Sequence, residues 1–262
     1  MIPYFEEPAF PIGPFTVSLF SVFVALAVIV GIVVLRRRAG SEGLDPAIAE
    51  RLVWWTLAGG FVGAHLVDRL AYFPGDTLRD PLSLLRVWAG MSAFGGFLGG
   101  IAGIVLFRLR VDLRPHTWRY VDSIAYAFPF GWILGRLGCF VAFDHPGKPT
   151  DFFLGQTYQD LVVRHNLGLE EAIYTVFVAA LFFVLGRRRR RPGFFTGLLA
   201  VAYAPMRFLL DYLRIGDARY LGFTPGQWGS IPLLLAGVAI LVCSRRAAVA
   251  ASTVPEAMRK CR

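Results

Sequence analysis

Long uncharged apolar runs alternate with short arginine blocks along this chain, and the alternation sets its class. A helix needs about 20 apolar residues to cross a hydrocarbon core. Phe15–Leu35 supplies them without a charge and stops at Arg36-Arg37-Arg38. Leu52–Tyr72 is a second candidate, interrupted by His65, Asp68 and Arg69. Trp88–Phe107 is a glycine-rich third, and Val121–Phe143 a fourth that carries Arg136. Ala172–Gly186 ends at Arg187–Arg191, Gly193–Leu213 contains Arg207 and Asp211, and Gly226–Cys243 precedes Arg245-Arg246. The pattern predicts an all-α polytopic integral membrane protein with seven transmembrane helices. They form a single domain over residues 1–246, with an extracytoplasmic loop over 144–170 and a disordered cytoplasmic tail over 247–262.

Composition agrees. Hydrophobic residues make up 56% and charged residues only 17%, against about 25% charge in soluble domains. The surface must therefore face lipid. A net charge of +9 invites a nucleic-acid partner, but the basic residues follow the apolar runs, as in a protein that keeps its cytoplasmic loops inside. Of the 27, 18 lie in loops one, three and five plus the tail, 7 in loops two, four and six with Arg69 counted in loop two, and Arg136 and Arg207 lie inside spans. That bias predicts an outside N-terminus and a cytoplasmic C-terminus. Glu6 and Glu7 replace the basic n-region of a cleavable signal. Cys139, Cys243 and Cys261 lack metal-ligand spacing and suggest no disulfide. The only lysines, Lys148 and Lys260, lie outside the spans, so a Schiff-base chromophore has no anchor.

Ionisable residues inside a span are expensive and mark a functional site by default. At 1.5 Å per residue, Arg136 and Arg207 both lie about 21 Å from the cytoplasmic end of their helices, in the outer part of the bilayer. Tyr203, Arg207 and Asp211 recur at helical spacing and share a face. One aspartate cannot neutralise two arginines, so the expectation is residual positive charge that takes an anion. The resident anion at that depth is a phospholipid phosphate, which suits the bidentate guanidinium. His65 reads as a hydrogen-bonded packing residue.

Several segments resemble one known family, the prolipoprotein diacylglyceryl transferases, over roughly residues 15–240. Trp88, Gly90-Met91-Ser92 and Gly95-Gly96 resemble its "VW–GGMS–HGG" segment, and Gly135-Arg136-Leu137-Gly138-Cys139-Phe140 with Asp144 and Gly147 its "GR–GNF–N–E–G" signature. His165 through Glu171 is similar to "HP–QLYE". Tyr203, Arg207, Phe208 and Asp211 resemble "Y–RF–E", and Leu221-Gly222, Thr224, Gly226-Gln227, Ser230 and Pro232 resemble "LG–T–GQ–S–P". The resemblance implies seven helices in the bacterial cytoplasmic (inner) membrane. It also implies transfer of a diacylglyceryl group from phosphatidylglycerol to the lipobox cysteine of a prolipoprotein, releasing glycerol phosphate, with no cofactor or metal. Arg136, Arg207, Asp211, Tyr203 and Asp144 become the expected catalytic group. Cys139, Phe94, Gly95, Gly96, Gly147 and Gln227 join the two arginines as substrate-binding positions. The partners are phosphatidylglycerol, the precursor's signal peptide and membrane lipid.

The chain departs from the pattern at three polar positions. Phe94 stands at the usual histidine, Phe20 at a usual tyrosine and Cys139 at the signature asparagine; Asp144 and Asp211 replace glutamates. Phe94 can neither take nor donate a proton. An enzyme then needs another base, with Asp144, His145 and His65 as candidates. The competing expectation is a non-catalytic paralogue that binds phospholipid or lipoprotein.

Overall fold

A computed structural model describes residues 1–12, 15–86 and 90–253, with residues 12, 15 and 247–253 as backbone only. A short hairpin, β1 (Ala9–Ile12) and β2 (Phe15–Ser18), leads into α1 (Leu19–Ser41) and α2 (Pro46–Val67). A π-helical turn over Asp68–Tyr72, the short α3 (Pro74–Arg79) and a 3-10 turn over Pro81–Leu85 follow. The chain continues as α4 (Ala93–Arg110) and α5 (Thr117–Ala142). Strands β3 (Pro146–Pro149), β4 (Gln156–Thr157) and β5 (Val163–Asn166) come next, and then α6 (Leu167–Gly186), α7 (Phe194–Leu213) and α8 (Pro225–Thr253).

The protein is mostly helical, and six helices among the described residues are long and apolar enough to cross a membrane. The exception among the long helices is α2, whose Glu50, Arg51, Trp54, Trp55, Thr56 and His65 dilute its apolar content. Two expectations are corrected. The all-α class needs two small sheets added, because the loop over 144–170 folds into an antiparallel β3-β5-β4 sheet. Its β4 also pairs with Ile2, which closes one sheet edge. The fifth apolar segment begins at Leu167 rather than Ala172, because Asn166 caps the helix by accepting from Leu169 N at 3.1 Å. At the chain's end α8 runs on to Thr253, and the tail over 254–262 lies outside the described residues, as does Trp88.

Glycines set how closely the helices pack. Gly59 and Gly63 on α2 face Gly95, Gly99 and Gly103 on α4, and a methyl on Gly99 would run into the Gly59 carbonyl. This small-xxx-small seam brings two backbones into contact. On the other side α5 packs against α1, α6 and α7, with Gly138 lying under Phe20 and Phe23. Two apolar clusters fill the end of the bundle away from the sheet. One gathers Leu35, Leu52, Phe107 and Tyr120; the other gathers Ala125, Val178, Phe182 and Phe195. The sheet end of the same helices is polar inside.

Candidate active site

Three helices bring four charges together. Arg136 comes from α5, Glu171 from the first turns of α6, and Arg207 and Asp211 from α7. All are buried, Arg136 to 4% and Arg207 to 3% exposure. Arg136 Nε lies 3.0 Å from Glu171 Oε1, Arg207 Nη2 lies 2.8 Å from Asp211 Oδ1, and Arg207 Nη1 approaches Glu171 Oε2 to 3.7 Å. The cluster therefore balances two positive with two negative charges. This corrects the expectation of residual positive charge, because Glu171 sits inside the longer α6 instead of in the outer loop.

Neighbouring groups fix the carboxylates. Trp132 Nε1 donates to Glu171 Oε1 at 2.8 Å, and the same indole lies under Arg136, 4.8 Å from its Cζ. Thr224 Oγ1 donates to Asp211 Oδ2 at 2.5 Å. Thr224 and Gln227 form a reciprocal capping box at the start of α8: Gln227 N donates to Thr224 Oγ1 and Thr224 N to Gln227 Oε1, both at 3.1 Å. Gln227 Nε2 donates to the Phe208 carbonyl. Gln227 thus serves the joint that holds Asp211.

The donors are not all used. Arg136 Nε, Arg207 Nε and Tyr203 Oη are buried with no aligned hydrogen-bond acceptor among the described residues. Asp211 Oδ1 is also unaligned, despite its closeness to Arg207. Buried donors without acceptors are rare and call for an explanation. Arg207 Nε and Tyr203 Oη, beside an Arg136 Nε held only by an unaligned contact to Glu171, suit an oxyanion.

Just beyond Arg136, α5 ends and the chain turns back over it. Phe143 adopts a left-handed conformation, φ 55°, which suits a helix C-terminus. The turn folds Asp144 and His145 towards Cys139. Their carboxylate, imidazole and thiol ligand atoms all lie within 4.8 Å of one another. Arg136 Nη1 donates to Cys139 Sγ at 3.4 Å. His145 Nδ1 lies 2.7 Å from the Asp144 carbonyl oxygen, which leaves Nε2 free of that contact. Burial pushes the Asp144 carboxyl above its ordinary range, opposed by Arg136. Burial, with Arg136 and Arg214 nearby, holds His145 well below its ordinary value, so its ring is neutral at pH 7.

The other expected positions are spread more widely. Phe94 is buried, with its ring 6.3 Å from Phe97, which in turn lies 5.1 Å from Tyr203. A side chain on Gly229 would strike Phe94, so that glycine makes the phenyl ring's space. Gly95 belongs to the α2–α4 seam, while Gly96 has nothing closer than 3.9 Å to a built Cβ. Gly147 packs under His165 and bridges to Arg214. His65 is a packing residue, as the sequence suggests. Its Nδ1 and Nε2 lie 3.4 and 3.2 Å from the Gly90 and Leu84 carbonyl oxygens, so whichever nitrogen carries the proton donates to backbone within the fold. Glu171 is the residue missing from the expected site, although it ends one of the motifs already noted.

The sequence model of the family described as "Prolipoprotein diacylglyceryl transferase" matches residues 7–243. Three relatives carry the name phosphatidylglycerol–prolipoprotein diacylglyceryl transferase. One from Erythrobacter litoralis is 34% identical over 90% of this chain and 88% of its own. One from Nitrosomonas europaea is 31% identical over 93% and 91%, and one from Solidesulfovibrio magneticus 32% over 94% and 96%.

Proposed function

The chain belongs to the prolipoprotein diacylglyceryl transferase family, and from that premise we propose that it is a phosphatidylglycerol–prolipoprotein diacylglyceryl transferase. It moves the diacylglyceryl group of phosphatidylglycerol onto the lipobox cysteine of a prolipoprotein signal peptide and releases glycerol phosphate. It works in the bacterial inner membrane with α2 as a seventh span, its N-terminus outside and its C-terminus in the cytoplasm. The arginine bias supports that orientation. A C-terminal reporter should be active only in the cytoplasm and a tag near Pro149 accessible only from outside; labelling of both from one side sinks it.

The observation that carries the assignment to the site is the buried pair of guanidinium groups beside Tyr203, with Arg207 Nε and Tyr203 Oη lacking an acceptor among the described residues and Arg136 Nε in an unaligned contact with Glu171. The thiol sulfur attacks the glyceryl carbon next to the phosphate, the carbon–oxygen bond breaks, and negative charge grows on the leaving phosphate. Donors fixed in advance where charge develops, in a site poor in water, stabilise that transition state. Asp211 and Glu171 hold the guanidinium groups so that they need not reorganise. Complementation tests the reading: the gene should restore growth to a bacterium depleted of its own transferase, and its Arg207→Ala form should not. Failure of the wild-type gene despite membrane insertion favours a lipid-binding paralogue, which the loss of polar groups at Phe20 and Phe94 would fit.

A further inference from the structure

We infer that a cavity between the outer sheet and the end of α7 seats the first residues of the mature polypeptide, those that follow the lipobox cysteine. This rests on the transferase reading above and gives that site a determinant of peptide choice. The cavity measures about 510 Å³ and is lined by Pro146, Tyr158, Gln159, Asp160, Arg164 and Ile215. Cavities of about 300–1,000 Å³ hold ligands of drug size, so a few residues of extended chain fit here.

Position identifies the occupant. Pro146 stands two residues beyond Asp144, and Ile215 directly follows Arg214. A backbone bridge between Gly147 and Arg214 ties these two segments together, so the cavity is walled by the chain as it leaves the charged cluster. The substrate has a matching polarity. Its signal segment, ahead of the cysteine, is apolar and stays in the membrane, whereas the chain after the cysteine is the part that leaves it. With the thiol beside Arg136 and Arg207, the next residues pass outward along Pro146 and Ile215.

The lining suits a peptide. Pro146, Ile215 and the Tyr158 ring supply an apolar floor, and Gln159, with the paired Asp160 and Arg164, a polar rim. An apolar lining with a few placed polar groups is the usual make-up of a ligand pocket. Tyr158 is buried, and its hydroxyl has no hydrogen-bond partner among the described residues, a rare state for such a group. Burial and the nearby Asp144 push its pKa up to about 12, so it remains a donor, and a small tilt of the ring brings it to a peptide carbonyl. Leu161, next to Asp160 in the turn between β4 and β5, is 81% exposed and held at φ 61°. A left-handed leucine is strained, and strain of this kind collects at ligand clamps. The peptide covers it.

The test separates binding from turnover. Purified full-length protein in detergent is given phosphatidylglycerol and either of two lipobox peptides, one ending at the cysteine as its amide and one continuing for a few residues. Glycerol phosphate release gives kcat and KM, and fluorescence anisotropy of the same peptides, dye-labelled at their N-termini, gives Kd without turnover. Ile215→Ser and Leu161→Ser change exposed side chains and Tyr158→Phe removes only a hydroxyl, so all three variants should fold, which circular dichroism checks. The longer peptide should bind the wild type more tightly than the shorter. Ile215→Ser should raise the longer peptide's KM and Kd about 10-fold, as lost apolar contact in a pocket does, and Leu161→Ser and Tyr158→Phe should raise them less. The shorter peptide's constants and the KM for phosphatidylglycerol should stay put, with kcat little changed, the mark of lost uniform binding. Equal effects on the two peptides, including none, overturn the subsite and leave the transferase reading intact. So does a rise confined to the KM for phosphatidylglycerol, which would make the occupant lipid. Selective losses in Kd with no glycerol phosphate released from either peptide uphold the subsite and count against the transferase reading. Binding of neither peptide, with no release, overturns both.

Discussion

Arg38 and Arg136 lie near opposite ends of α5, both over aromatic rings of that helix, yet they meet opposite fates. Arg38 Cζ sits 4.7 Å from the Tyr126 ring and 5.1 Å from Phe195. Its Nη1 donates to the Gly186 carbonyl at 2.8 Å, and Nη2 pairs with Glu42 at 2.7 Å. It shares a small cavity with Arg119, Asp122 and Arg190 and fastens α1 to the ends of α6 and α7. Arg136 sits at a similar 4.8 Å from Trp132, but its Nε lacks an aligned acceptor, and Arg207 Nε and Tyr203 Oη beside it lack one too. Charge count does not separate the two sites, since both arginines have a carboxylate partner. Burial of the open donors does: among the described residues no fully buried Arg38 donor lacks a partner, whereas the Arg136 cluster holds three that lack an aligned one.

The largest expected effect follows from that difference. Arg136→Ala and Arg207→Ala should each lower glycerol phosphate release by about 10³-fold or more, the scale of losing a fixed donor to a developing oxyanion, while the protein still inserts. Lysine should rescue poorly, since it keeps the charge and loses the fork. Wild-type turnover in both alanine variants would erase the distinction from Arg38.

Glu171→Gln comes next. It leaves the two buried arginines with one carboxylate between them, and breaking such a pair costs about 3–5 kcal/mol. Thermal unfolding in detergent should show the loss. An unchanged unfolding temperature would mean that Glu171 does not balance the cluster. The smallest effect belongs to Arg38→Ala, expected to cost about 1–2 kcal/mol of cation–π and hydrogen-bond stabilisation and to leave turnover within about twofold. A collapse of turnover with stability intact would show that the two ends of α5 are not separate in function.

The sequence made the helices and both arginines legible because apolar length and basic blocks are local signals. Phe15–Leu35 and Arg36-Arg37-Arg38 need no tertiary contact to be read. Glu171 stayed hidden because its helix start depends on Asn166, whose capping looks like loop chemistry until the chain is folded. The outer sheet was hidden for a related reason: β4 has only two residues, Gln156 and Thr157, too few for alternation to register. Cys139, Asp144 and His145 meet because Phe143 turns the chain back, and a left-handed phenylalanine leaves no mark in composition. His65 was readable as a packing residue, whereas its two carbonyl partners came from the distant Leu84 and Gly90.

The central claim, that this cluster catalyses transfer onto a thiol without the usual histidine, is tested most directly by one assay. Purified protein is supplied with phosphatidylglycerol and a lipobox peptide from about pH 6 to 9, spanning the approach to a free thiol's pKa of about 8.5, and glycerol phosphate release is followed. The account predicts release that vanishes in Arg207→Ala and rises with pH below the thiol pKa, where the thiol must ionise without a histidine. No release at any pH, with phosphatidylglycerol binding that still depends on Arg136, would contradict it.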